Sequence, residues 1–185
     1  FLNNLCSQEG AVYLEVGVYA GSTFCAAIQN NDMVAAYAND NWSQPNLQPA
    51  REDINLELED VTVSTFVKNL QTNITTDSLD FDIQVLNGDS SQLGKKDFKQ
   101  DVNIIFYDGD NAEHKMVEFF TRMLDFTANV FTLVVDDANI EDNVRVTKTF
   151  VEKMGLKILY ERELLNDQED LKMWWNGLYV LVLAK

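Results

Sequence analysis

The sequence predicts an α/β fold in which a doubly wound, mostly parallel sheet of seven strands is covered by helices on both faces. Short apolar runs that suit buried strands alternate along the chain with segments whose apolar residues recur at helical spacing. Strands that are continuously apolar are typical of parallel sheets buried between helices. The length of 185 residues suits one domain, which we expect to span 1–185.

The apolar runs define seven candidate strands. They are Val12–Val16, Met33–Ala38, Asp82–Leu86, Val102–Tyr107, Val130–Val135, Leu156–Glu163 and Leu178–Ala184. The segment between the last two strands is polar and lacks helical periodicity, which favours a long hairpin over a crossover helix. We therefore expect an antiparallel pair of strands at one edge of the sheet.

Helical periodicity marks three of the intervening segments. Apolar residues recur at spacings of three and four over 63–70, 116–124 and 140–154. A further helix is expected to begin at Ser22-Thr23, after a turn that contains Gly17 and Gly21. The polar stretch Asn41–Asp53 holds both prolines and is predicted to be a loop.

The charge of the chain is strongly unbalanced. It carries 14 Lys and Arg against 30 Asp and Glu, a formal net charge of −16. Such a surface would repel a phosphate backbone, and no cluster of basic residues offsets it, so nucleic acid is not an expected partner. No apolar run approaches the roughly 20 residues that span a bilayer, and no basic-then-apolar leader is found. We therefore expect a cytoplasmic protein without a membrane partner.

Carboxylates occur at the carboxyl ends of the first five predicted strands. In strand order, these acids are Glu15, Asp40, Asp89, Asp108 and Asp136. Ligands of doubly wound sheets bind beyond these strand ends. Acids placed at random would be spread over both ends of the sheet, so the pattern indicates a ligand site.

The turn after the first strand argues against two common phosphate-binding sites. The P-loop pattern GxxxxGK[ST] is absent, and Gly17-Val18-Tyr19-Ala20-Gly21 is one glycine short of GxGxxG. A nucleotide triphosphatase and a nicotinamide oxidoreductase are therefore disfavoured. Carboxylates suit a ligand with ribose hydroxyls, an adenine amine and a positive charge, because they accept hydrogen bonds and attract cations.

The motif ExGxxxG at Glu15–Gly21 resembles the first motif of class I S-adenosylmethionine-dependent methyltransferases. Asp40 and the segments 87–90, 104–110 and 133–137 resemble the later strand ends of the small O-methyltransferase-like branch (methyltransferase domain 24-like). The resemblance covers 12–185 and implies a Rossmann-like fold with S-adenosylmethionine as cofactor. The residues that it implies for cofactor binding are Glu15, Gly17, Tyr19, Gly21, Ser22, Asp40, Trp42, Asp89, Ser90 and Asp108.

The resemblance also implies methyl transfer to a small molecule, at a hydroxyl oxygen. Its candidate catalytic residues are Asp108, Asp136 and His114. Two interpretations of the acids at the fourth and fifth strand ends stay open. Asp108, Asp136 and Asp137 could bind Mg²⁺ or Ca²⁺ through hard oxygen ligands. Alternatively, Asp110 could cap one helix and Asp137 could precede another.

Several features keep other interpretations open. Asn111 stands where many relatives have a histidine, and His114 could be a base or a solvated surface residue. Trp42 could cover the adenine or pack beneath the following loop. A non-catalytic domain that binds S-adenosylmethionine or S-adenosylhomocysteine is therefore the alternative function. The expected partner is a small-molecule acceptor, and a homodimer is left open.

Overall fold

The computed structural model describes residues 1–43, 61–74, 80–165 and 176–185. The described strands are β1 (Val12–Val16), β2 (Ala35–Asp40), β3 (Asp82–Asn87), β4 (Val102–Tyr107), β5 (Thr127–Asp136), β6 (Lys157–Leu164) and β7 (Leu178–Ala184). The helices are α1 (Leu2–Cys6), α2 (Ser22–Ile28), α3 (Val63–Asn73), α4 (Glu113–Met123) and α5 (Glu141–Lys153). Within these ranges, no helix has the length and apolar character needed to cross a bilayer.

The seven strands form one sheet in the order β3-β2-β1-β4-β5-β7-β6. All neighbouring pairs from β3 to β5 are parallel, whereas β7 is antiparallel to both β5 and β6. The predicted doubly wound sheet with an antiparallel edge hairpin is confirmed. The carboxyl ends of β1, β2 and β4 consequently lie side by side.

The sheet separates two apolar layers. On one face, α4 and α5 pack Phe119 and Phe150 against alternate strand residues such as Leu14. On the other face, helices α1, α2 and α3 pack against the remaining strand residues, including Tyr13. Because both faces are covered, β1 is buried along its whole length. Its continuous apolar pattern therefore reflects burial on two sides.

Three details differ from the sequence-based expectation. β2 lies two residues later than predicted and ends at Asp40, and β5 begins three residues earlier, at Thr127. Helix α1 was not predicted, because five residues are too few to show a helical period. Its Asn3 amide donates to the carbonyls of Ala26 (3.0 Å) and Gln29 (2.8 Å), which ties α1 to α2. Most of the predicted loop Asn41–Asp53 lies outside the described residues.

Gly17 joins the turn after β1 to the end of β4. Its φ is +89°, and a Cβ at this position would lie 1.9 Å from the carbonyl oxygen of Asp108. The Gly17 N–H donates to the carbonyl of Asn39 (2.9 Å), and the Asp108 N–H donates to the carbonyl of Val16 (2.8 Å). The ends of three strands are thus joined at a point where only glycine fits.

We expect Gly17→Ala to destabilise the protein by several kcal/mol more than Gly10→Ala. Both glycines have positive φ, but a Cβ at Gly10 would meet no atom within 4 Å. Gly10→Ala therefore measures the backbone strain alone, about 1–2 kcal/mol. Urea unfolding of both variants gives the comparison. Equal losses of unfolding free energy in the two variants would show that the close approach at Asp108 relaxes without cost.

Candidate functional site

A pocket of about 420 Å³ lies at the carboxyl ends of β1, β2 and β4. We call it the first pocket. Its described lining comprises Val16, Gly17, Tyr19, Asn39, Asp40, Asn41, Trp42, Val61, Gly88, Ser90, Asp108, Gly109 and Asp110. The predicted cofactor-binding residues that it brings together are Gly17, Tyr19, Asp40, Trp42, Ser90 and Asp108. The pocket therefore forms beyond the carboxyl ends of the strands, where doubly wound sheets bind their ligands.

Asp40 organises one wall of the first pocket. Its Oδ2 accepts from the Tyr19 N–H (2.8 Å), and its Oδ1 accepts from the Trp42 N–H (2.7 Å). The Trp42 indole N–H donates to the Tyr19 carbonyl (2.9 Å). We call this arrangement of Tyr19, Asp40 and Trp42 the Asp40 bracket. Since a carboxylate has about four acceptor positions, both oxygens can accept further hydrogen bonds.

The Asp40 bracket holds two residues in an unfavourable backbone conformation. Tyr19 has a φ of 46° and Trp42 a φ of 42°, in the left-handed region that favours glycine. Such conformations cost of order 1–3 kcal/mol each and persist where surrounding contacts impose them. Here the two hydrogen bonds to Asp40 impose them, at the edge of a pocket.

Trp42 lines the first pocket, and the loop beneath which it was predicted to pack lies mostly outside the described residues, so both of its predicted roles stay predictions. Its ring packs against Phe66 of α3, with 5.8 Å between ring centroids, while the residue also lines the first pocket. Gly21 lies beside the same phenyl ring, where a Cβ would come within 2.7 Å of Phe66. Gly21 and Ser22 line a separate cleft between α2 and α3. Their positions therefore do not support the predicted cofactor contacts.

Asn39 is a pocket residue that the sequence-based prediction missed. Its side chain is buried, and its Nδ2 donates to the carbonyls of Leu86 (2.8 Å) and Gly88 (3.0 Å). Its own carbonyl accepts from Gly17, so Asn39 links β2 to β1 and β3. A polar residue at the end of an apolar strand was the available indication, because a buried amide needs partners.

Asp89 is engaged with protein groups. Its Oδ1 accepts from the Ser91 N–H (2.9 Å), and its Oδ2 accepts from the Lys115 ammonium of α4 (2.9 Å). These contacts, the Ser91 N–H first, lower the pKa of Asp89 to about 2. Its neighbours Gly88 and Ser90 line the first pocket instead. The predicted adenine contact of Asp89 is not supported by this geometry.

Glu15 of β1 is buried. Its side chain is 1% exposed, and its Oε2 accepts from the Tyr13 hydroxyl at 2.6 Å. Burial raises the pKa of Glu15 well above its ordinary value, and the nearby charges of Asp108 and Asp136 add to this. It is not among the residues that line the first pocket. Direct cofactor contact by Glu15 is therefore not supported.

A second pocket of about 360 Å³ also has Asp108 in its lining. Its described lining comprises Phe1, Leu2, Asn3, Thr23, Ala26, Ala27, Phe106, Asp108, Asp136 and Leu178. The Asp108 and Asp136 side chains hydrogen-bond to each other. Partial removal from water by the pocket walls, followed by the charge of Asp136, raises the pKa of Asp108, although the residue is still exposed to solvent. Desolvation also raises the pKa of the half-buried Asp136. Asp108 is thus a wall shared by both pockets.

Asp137 is held by two amides. Its Oδ2 accepts from Asn111 (2.6 Å) and its Oδ1 from Asn176 (2.7 Å). In the described part of the chain, no group of three or more His, Cys, Asp or Glu residues is arranged to hold a metal ion. Metal binding by Asp108, Asp136 and Asp137 stays a prediction, and this arrangement does not support it.

Two candidates remain: His114 lies outside both pockets, and Asp110 accepts a hydrogen bond from the backbone. His114 is exposed in the first turn of α4 and lines neither pocket, so its position does not support a catalytic role. Asp110 accepts from the Ala112 N–H (2.9 Å), but the N-cap of α4 is Ala112. The predicted cap at Asp110 is therefore wrong, because the helix begins two residues later than expected.

Searches against known families and curated proteins give no match for this sequence. Solved structures share its fold. The small RNA methyltransferase HEN1 matches with a TM-score of 0.65 and 8% identity, over 100% of this chain and 24% of that chain. The O-methyltransferase NovP matches with a TM-score of 0.65 and 12% identity, over 100% of this chain and 79% of that chain. The O-methyltransferase from Bacillus cereus, solved in complex with SAH, matches with a TM-score of 0.59 and 14% identity, over 100% of this chain and 79% of that chain.

These structures include both RNA and O-methyltransferases, so the likeness does not distinguish a branch. At identities of 8–14% it shows the fold alone. The chain has the Rossmann-like methyltransferase fold.

The buried Glu15 leads to a pH prediction. Because its pKa is raised on folding, the folded state binds the proton more tightly, and stability falls as the pH rises above about 4.3, the ordinary Glu value. Glu15→Gln cannot ionise, so its melting temperature should fall less between about pH 5 and about pH 8. Glu9→Gln, at an exposed site, is the control. If the melting temperature of Glu15→Gln falls with pH as steeply as that of the unaltered protein, the prediction is contradicted.

Proposed function

We propose that this protein is an S-adenosylmethionine-dependent methyltransferase that acts on a small molecule at a hydroxyl oxygen. The observation that carries the proposal is the Asp40 bracket in the first pocket. It presents a carboxylate with free acceptor positions at the end of β2, beside the indole of Trp42. Vicinal ribose hydroxyls are the kind of donor that such a carboxylate binds.

The chemistry of the first pocket fits this cofactor. Asp40 offers acceptors for the ribose, and Trp42 offers an apolar ring beside which an adenine can lie. Asp108, which also lines this pocket, contributes a carboxyl group that would attract a cationic sulfonium or amino group. When bound, S-adenosylmethionine would supply an electrophilic methyl group. The pocket volume of about 420 Å³ is within the usual range for small-ligand sites.

Asp108 and Asp136 are the residues that we assign to the acceptor. Both line the second pocket, and Asp108 also lines the first. A carboxylate at this place can accept the hydrogen bond of an acceptor hydroxyl and hold its oxygen toward the first pocket. Orienting two reactants in this way supplies a large part of the rate acceleration in displacement reactions.

The charge of the chain supports a small acceptor over a nucleic acid. The net charge of −16 would repel a phosphate backbone. This argument is independent of the fold, which RNA and O-methyltransferases share.

A non-catalytic cofactor-binding domain is the second candidate. It is favoured by Asn111, whose amide is engaged with Asp137, and by the exposed position of His114. The first pocket would be used in the same way under both candidates. A transferase releases S-adenosylhomocysteine from S-adenosylmethionine when hydroxyl compounds are supplied, and a binding domain does not.

We expect Asp40→Ala to weaken the binding of S-adenosylhomocysteine by about 1–3 kcal/mol, because it removes the acceptor of the ribose hydroxyls. Isothermal titration calorimetry measures the affinity. Asp32→Ala is the matched control, because Asp32 is exposed just before the opposite end of β2. The melting temperature without ligand separates lost binding from loosening of the Asp40 bracket.

Two outcomes would contradict the assignment. If the unaltered protein binds no S-adenosylhomocysteine at millimolar concentration, the proposed cofactor is wrong. If Asp40→Ala binds as tightly as Asp32→Ala, the ribose contact is misplaced even though the cofactor is right.

A further inference from the structure

The second pocket combines apolar walls with two acidic groups. Phe106 of β4 and Leu178 of β7 line it from the sheet, and the exposed Ala26 lines it from α2. Asp108 and Asp136 stand at the strand ends and hydrogen-bond to each other. A ligand here would therefore meet apolar contacts on its body and oxygen acceptors at one end.

No basic residue is among the described residues that line the second pocket. Because Asp108 and Asp136 hydrogen-bond to each other, one carboxyl holds a proton and the pair carries one negative charge. A carboxylate or phosphate placed there would lie beside this charge with no positive charge to offset the repulsion. Like charges at such short range repel each other. The acids thus act against anionic ligands, while a neutral hydroxyl can donate to them.

The wall formed by α1 is anchored to α2. The Asn3 amide donates to three carbonyls of the α2 segment, those of Ala26 (3.0 Å), Ala27 (3.2 Å) and Gln29 (2.8 Å). Three hydrogen bonds from one side chain restrict the movement of α1 against α2. The second pocket is therefore built from secondary structure, with a volume of about 360 Å³ near the lower end for ligand sites.

We propose that the second pocket binds the body of the methyl acceptor and selects a small, uncharged, hydroxyl-bearing molecule with an apolar ring or chain. Anionic acceptors are rejected by Asp108 and Asp136. The inference rests on the proposed function, because Asp108 connects this pocket to the one assigned to the cofactor. It goes further by naming the acceptor class and the residues that select it.

The test uses two probes of similar size, benzyl alcohol and benzoate, with the full chain saturated with S-adenosylhomocysteine. Saturation-transfer NMR measures the binding of each probe. Benzyl alcohol should bind at least tenfold more tightly than benzoate. Asp136→Asn removes one of the two acids, so it should reduce this preference severalfold.

A pair of variants locates the binding. Thr23→Trp places an indole in the second pocket and should abolish the binding of benzyl alcohol. Gln71→Trp adds the same bulk on the exposed surface of α3, away from both pockets, and should leave the binding of benzyl alcohol unchanged. Melting temperatures confirm that both variants fold, and calorimetry with S-adenosylhomocysteine confirms that each retains the first pocket.

Three outcomes would overturn the inference: tighter or equal binding of benzoate, full binding of benzyl alcohol by Thr23→Trp, or a probe preference unaffected by Asp136→Asn. Failure of the proposed function is a separate result, because it appears as absent binding of S-adenosylhomocysteine to the unaltered protein. The probes can still be measured on the ligand-free protein in that case.

Discussion

The close approach between Gly17 and the carbonyl of Asp108 is the constraint on which the site depends. The turn after β1 can reach the end of β4 only because residue 17 has no side chain, since a Cβ would lie 1.9 Å from the Asp108 oxygen. Asn39 completes the junction by accepting from Gly17 and donating to the end of β3. The edge of the sheet is thereby closed into a surface on which side chains hold defined positions.

The acids at this edge differ in function because their partners differ. Asp40 accepts from two backbone N–H groups and keeps acceptor positions for a ligand. Asp89 is neutralised by Lys115, and Glu15 is buried against Tyr13. Asp137 is held by two amides. Residue type alone therefore says little about which carboxylate is free to bind.

The position of Asp108 gives the site its organisation. It lines the more polar first pocket together with the Asp40 bracket, and the more apolar second pocket together with Asp136. A group-transfer reaction needs two reactants brought together at one point with water excluded. Under the proposed function, the two pockets that share Asp108 would hold the two reactants, and the acidic groups there would restrict the charge of what can bind.

The sequence by itself determined the architecture. Apolar periodicity located the seven strands and most of the helices that the structure describes, and the rule that ligands bind beyond the carboxyl ends of the strands placed a site beside Asp40 and Asp108. Periodicity reports which positions are buried, but in a sheet covered on both faces it does not report which layer or partner a side chain meets. The tertiary structure decided that Glu15 is buried against Tyr13 and that Asp89 pairs with Lys115, 26 residues away. It did so because a carboxylate binds whichever donors the packed chain brings within reach, and those donors come from distant segments.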